Sequence, residues 1–183
     1  MGDDGPLGLV PWEGRGSLPF ALVHGESLVA AATWALGEAG VDLFDASVTD
    51  EQVRRSGRAL VLHDPLCPLT PVDFIAAAVA LAEETGAVVV GCRPVTDTIK
   101  HASAGRLGET VDRTDLRAVT SPVVLPAGVL AGLDGVDAAD FPALVARLAE
   151  HGPITWLEAP PLSRRVTDEA DVADLEALSA AQR

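Results

Sequence analysis

The stretch GAVVVGCRPVTDTIK, residues 86–100, joins two kinds of chain. From Val88 to Cys92 it is apolar and rich in valine, the pattern of a strand covered on both faces. Pro94 ends that strand because it has no N–H to give to a neighbouring ladder, and the polar Thr96, Asp97, Thr98 and Lys100 follow. A strand buried on both faces must be covered from both sides, and because such apolar runs alternate with helical patterns along the chain, the sequence predicts an α/β domain with a mostly parallel sheet.

The flanks repeat the alternation. Ala59 to His63 reads as a second buried strand ending at Asp64, LGLVP as an earlier one with its core at 8–11, and ITWLEA (154–159) as the last. SPVVLP (121–126) is a short strand or extended segment, and 41–48 is a weak strand broken by Asp42 and Asp45. Helices are predicted from Ser27 to a stop at Gly40, from a Thr70 cap with Pro71 at the first position to Gly86, from Asp140 onward, and from a Thr167 cap near the end. In the second of these, Phe74, Ile75, Ala78, Val79 and Leu81 form the apolar stripe. Residues 96–113 alternate polar and apolar side chains around Ser103-Ala104-Gly105, which predicts an extended arm or hairpin. With no repeat and no linker, residues 1–183 read as a single domain, long enough to bury roughly two-thirds of its unfolded surface.

Composition narrows the partners. The formal charge of −14 opposes binding to nucleic acid and to anionic membrane, since both present a repulsive field. No run of about 20 apolar residues occurs, and Cys67 and Cys92 are too few for a disulfide framework and lack zinc spacing. These features predict a cytoplasmic protein with reduced thiols, acting on small molecules or other proteins. Twelve of the thirteen Lys and Arg positions are arginine, and Lys100 is the only lysine.

In a parallel sheet, ligands sit at the carboxyl ends of strands. Two readings of Asp64 stand there: a ligand of Mg²⁺ or a sugar hydroxyl, or a side chain that caps the turn before Pro65. Thr98 is a candidate phosphate donor. His63, at the end of a buried strand, reads as structural. No spacing marks a nucleophilic triad or a metal cluster, and the glycines of WEGRGS read as a turn, since a G-x-G pair alone is a weak phosphate-loop signal.

LVLHDPLCPL (60–69), PVTDTIK (94–100) and ETVDRTDLRAVTSP (109–122), in this order and with these gaps, resemble the 2-C-methyl-D-erythritol 4-phosphate cytidylyltransferases. The resemblance implies a Rossmann-like nucleotidyltransferase domain with a projecting β-arm, residues about 95–120, through which a homodimer forms. It implies transfer of CMP from CTP to a sugar-alcohol phosphate in isoprenoid precursor synthesis, with Mg²⁺. By position, Asp64 is implied near substrate and metal, Thr98 and Ser121 at the substrate, and Arg113 on the arm reaching the partner's substrate. SRRVT (163–167) places Arg165 at the family's phosphate-binding lysine, and Arg15 stands in for the arginine of its nucleotide loop.

Four features depart from the family pattern, SPV (121–123) in place of its T-P-Q among them. VPWEGRGSLPF is a shortened first loop with Phe20 where a lysine belongs, Cys67 replaces an arginine, and little chain separates the first helix from the 60–64 strand. Two functions are therefore expected as alternatives. One is an altered cytidylyltransferase using Arg15, Asp64 and Arg165. The other is a non-catalytic dimeric binding or regulatory module that keeps the fold and the arm.

Overall fold

The computed structural model describes residues 5–44, 48–96, 100–103 and 105–181. In chain order they form β1 (Leu7–Leu9), β2 (Leu22–Val23), β3 (Glu26–Ser27), α1 (Leu28–Glu38), β4 (Asp42–Leu43), α2 (Asp50–Arg55), β5 (Leu60–Leu62) and α3 (Val72–Thr85). Then come β6 (Val88–Pro94), β7 (Lys100–Ser103), β8 (Arg106–Thr110), β9 (Arg117–Leu125), α4 (Ala127–Ala131), α5 (Phe141–His151), β10 (Ile154–Glu158) and α6 (Glu169–Ala180).

The central sheet has the order β10-β6-β9-β5-β1-β4. Its pairings are parallel except where β9 runs antiparallel between β5 and β6, so the α/β, mostly parallel architecture expected above is the one observed. Successive residues of the central strands face opposite layers. Leu60, Leu62, Val90, Val123 and Leu125 join α5 residues Phe141, Leu144 and Leu148 on one side. Val61, Val89 and Val124 meet Leu36 of α1 and Ile75 and Ala78 of α3 on the other. Each fully buried Val or Leu contributes about 1.5–3 kcal/mol, so the central strands carry much of the stability.

The 86–100 stretch divides as its composition suggests. Val88–Val90 are buried in β6, and beyond Pro94 the chain leaves the sheet to form the separate two-stranded β7–β8 hairpin. At Gly91 the β6–β9 register shifts. A Cβ there would lie 2.7 Å from the Ser121 carbonyl oxygen, which requires glycine.

Several boundaries differ from expectation. The weak 41–48 strand shrinks to Asp42–Leu43, and α2 follows it, with Thr49 and Gln52 exchanging side-chain and backbone hydrogen bonds in a capping box. Pro71, not Thr70, occupies the cap of α3, because the Thr70 hydroxyl donates to the Cys67 carbonyl at 2.9 Å. Asp168, not Thr167, caps α6 by accepting from Asp171 N–H at 2.8 Å. Thr167 instead donates its hydroxyl to the Asp171 carboxylate. Among the described residues no helix is long and apolar enough to cross a membrane.

Candidate active site

The site is built at the carboxyl ends of β1 and β5. Beyond β1, the loop through Gly14 and Gly16, both with positive φ, turns Arg15 inward. Beyond β5, Asp64 starts a tight turn, accepting from Leu66 N–H at 3.0 Å through its side chain and from Cys67 N–H at 2.9 Å through its carbonyl. The turn-capping reading of Asp64 therefore holds.

The same carboxylate also gathers two cations. Arg15 Nε donates to Asp64 Oδ1 at 3.0 Å and Arg165 Nε to Oδ2 at 2.9 Å. Arg165 arrives from the far end of the chain because Val166 is buried with Leu66, Val23, Leu28 and Leu175, and its N–H donates to the Leu66 carbonyl at 2.8 Å. Asp64 is 2% exposed, Arg15 3% and Arg165 40%. Charges so shielded are costly unless paired and hydrogen-bonded, and each guanidinium nitrogen of Arg15 has an acceptor. Its Nη1 donates to the Glu13 carbonyl at 3.1 Å and its Nη2 to the Ala138 carbonyl at 2.9 Å. Its guanidinium also lies 5.6 Å from the Phe141 ring centroid.

Ser121 sits under this cluster on β9. It is fully buried, accepts from Asp64 N–H at 2.9 Å, and its hydroxyl contacts His63 Nδ1. Burial takes His63 from 6.5 down to about 4, against the opposing pull of the Asp64 carboxylate, so the ring is neutral at pH 7. Burial, and secondarily Asp64, raises the Cys67 thiol well above its ordinary value, which leaves it a poor nucleophile.

Arg15, Asp64, Ser121 and Arg165 thus converge. Arg113 does not join them among the described residues: it is exposed and donates to the Thr96 carbonyl at the base of the arm. Thr98 lies outside the described residues. Phe20 is 53% exposed and packs edge-on against Trp12, with centroids 5.7 Å apart. Sequence reading missed the Ala138 carbonyl and the Phe141 ring as partners of Arg15. No local signal could have found them, because Ala138 lies 123 positions away.

The four-residue cluster is chemically an anion already neutralised by cations. Asp64 lone pairs face N–H donors, and one guanidinium, Arg165, keeps an edge toward solvent. No group of three or more potential metal-ligating side chains occurs among the described residues.

The sequence profile of the 2-C-methyl-D-erythritol 4-phosphate cytidylyltransferases matches residues 45–147, more than half of the chain. A cytidylyltransferase of that name from Frankia casuarinae is 32% identical over 141 residues, covering 71% of this chain and 52% of the relative. Others are matched over smaller shares, so the chain spans about half or less of the length of these curated relatives. The crystal structure of the enzyme of that name from Thermus thermophilus superposes with a TM-score of 0.68 at 20% identity, over 96% of this chain and 98% of that one. The one from Francisella tularensis gives 0.65 at 14%, over 94% and 100%. At such identities the superpositions establish the fold, and the sequence match over β5, the arm and β9 adds the family: this chain belongs to the 2-C-methyl-D-erythritol 4-phosphate cytidylyltransferases.

Proposed function

We propose that the chain is a non-catalytic or strongly altered member of its family, in which the aspartate expected to serve substrate and metal has become the centre of a structural ion cluster. One observation carries this reading: both oxygens of the 2%-exposed Asp64 are taken by Arg15 and Arg165. Mg²⁺ is bound by oxygen lone pairs in near-octahedral geometry. At Asp64 those lone pairs point at two guanidiniums and a backbone N–H, so the residues present do not fit that ion.

The loop supports the same reading. Nucleotidyl transfer depends on cations that neutralise developing charge at the phosphates. Arg15 directs its donors to Asp64, Glu13 and Ala138, and the exposed Phe20 ring stands where a second cation is expected. The β7–β8 hairpin is proposed as the arm of a homodimer.

A second reading, CMP transfer from CTP to a sugar-alcohol phosphate, is favoured by Arg165. Its side chain is 40% exposed, and Nη1 and Nη2 have no partner among the described residues, which suits a substrate phosphate. Pyrophosphate release with CTP, Mg²⁺ and 2-C-methyl-D-erythritol 4-phosphate separates the two. The first reading expects none above the protein-free rate, and sustained turnover abolished by Arg165→Met would establish the second.

A further inference from the structure

We infer that the chain carries a second chemical site, a Ser179–His24–Glu176 triad that takes an acyl group from an uncharged apolar ester, on a groove bordered by α1 and α6. It uses none of the Asp64 cluster and does not depend on how that cluster is used. Glu176 and Ser179 lie three apart on α6 and so share one face. Val172 and Leu175 pack α6 against Val23 and Leu28, which sets that face against the His24-Gly25 turn of the β2–β3 hairpin. Both turn residues have positive φ, 51° and 86°, as a two-residue hairpin turn requires, and His24 N–H is fixed by donating to Glu176 Oε1 at 2.8 Å.

The His24 ring meets both α6 side chains. Its Nδ1 lies 3.3 Å from Glu176 Oε1. A carboxylate has no hydrogen to give, so the ring hydrogen sits on Nδ1 and donates to it. Nε2, 2.5 Å from Ser179 Oγ, is left as an acceptor. The one hydroxyl hydrogen reaches either Nε2 or the Glu176 carbonyl at 2.9 Å by rotation about Cβ–Oγ. This order of contacts, carboxylate to imidazole to hydroxyl, is the one that makes a serine nucleophilic. It leaves no spacing in the sequence, because 152 positions separate His24 from Glu176 and 155 separate it from Ser179.

Ser179 and His24 line a groove of about 360 Å³ with Trp34, Leu69, Pro71 and Leu162, room for a short acyl chain and an aryl leaving group. No lysine or arginine lines it among the described residues, so an anionic ester finds no partner there and the oxyanion of the tetrahedral intermediate no cation. The substrate class is therefore a neutral ester with a good leaving group, an aryl ester or a thioester. Ser179 Oγ bonds to the acyl carbon as its proton passes to His24 Nε2. The bond from that carbon to the leaving oxygen or sulfur then breaks, and the leaving atom takes the proton from Nε2. Water attacks the acyl-serine with help from the same base, which frees the carboxylic acid and restores Ser179.

The test treats the full chain with p-nitrophenyl butyrate, following nitrophenol release, and separately with diisopropyl fluorophosphate, and locates the adducts by peptide mass. One butyryl or one phosphoryl group per chain, on Ser179, is expected. Ser179→Ala should lose both adducts and slow nitrophenol release by about a hundredfold or more, and His24→Gln should slow it similarly. Glu176 acts through His24 and is a positioning residue: Glu176→Gln should cut the maximal rate by about tenfold or more with the half-saturating ester concentration unchanged. Melting temperatures establish which variants are folded, and the adduct on the wild-type chain needs no variant. The inference is overturned if neither reagent modifies wild-type Ser179, if Ser179→Ala releases nitrophenol at the wild-type rate, or if folded His24→Gln or Glu176→Gln reacts as fast as wild type.

Discussion

Arg165 and Asp64, 101 positions apart, meet at 2.9 Å on the carboxylate whose other oxygen Arg15 holds at 3.0 Å. The two arginines are not equivalent. Arg15 is shielded with an acceptor at each nitrogen, whereas Arg165 keeps an edge in solvent.

That asymmetry sets the cost of removing each group. Asp64→Asn leaves Arg15 as a shielded charge without its counter-ion, so it should destabilise by about 3 kcal/mol, a fall in Tm of roughly 6–12 °C. Arg165→Met should cost under about 1 kcal/mol, since solvent screens its partly exposed pair. Thermal unfolding of both variants checks the order. An Asp64→Asn variant as stable as wild type would show that the cluster holds nothing together.

His63 makes the stability pH-dependent in a definite window. It titrates at 6.5 in the unfolded chain and at about 4 when buried. Between those values the unfolded chain binds a proton that the folded chain refuses, so stability is complete above 6.5 and falls as pH drops toward 4, by up to about 3 kcal/mol. Asp171, held below its ordinary 3.8 mainly by the Thr167 hydroxyl and N–H, loses its contribution only at lower pH, which keeps the two effects apart. Urea unfolding at pH 7.5 and 4.5 measures the loss, and His63→Gln should flatten it.

Gly91 tests the seating of Ser121 beneath Asp64. Gly91→Ala puts a methyl 2.7 Å from the Ser121 carbonyl oxygen and 3.1 Å from Thr120 Oγ1, so β9 must shift, at a cost of about 1–3 kcal/mol. Gly37→Ala is the control. It lies in α1 with nothing within 4 Å of the added methyl, and should stabilise by about 0.5–1 kcal/mol. Urea midpoints of the two variants should move in opposite directions.

The arm predicts the assembly. The β7–β8 hairpin forms its own two-stranded sheet apart from the central one, with Arg106 and Glu109 exposed. Sedimentation at micromolar concentration should give a dimer, and a chain that sediments as a monomer rejects the arm as a dimerisation element.

What the sequence disclosed follows from the range of the forces involved. Val88–Val90, Leu60–Leu62 and the Ile75, Ala78, Val79 stripe were legible because burial imposes a period on neighbouring residues. α2 escaped notice: its six residues bury only Val53, and its signal was the Thr49–Gln52 capping box alone. Caps moved by one position at Thr70 and Thr167, where another local hydrogen bond captured the expected side chain. In the site, family resemblance supplied Arg15, Asp64, Ser121 and Arg165, yet no local pattern could show that the first and last would be spent on the second. That depends on Val166 packing against Leu66, a contact between opposite ends of the chain.

The central claim is that this cluster occupies the place of nucleotide chemistry. The most direct measurement is the melting temperature of the protein with and without saturating CTP and Mg²⁺. An intact nucleotide site at 100 times its Kd would add about 2.7 kcal/mol and raise Tm by several degrees. The account predicts no shift beyond about 1 °C, smaller than a stabilisation of 1 kcal/mol would give, and a saturable, CTP-dependent rise of several degrees would contradict it.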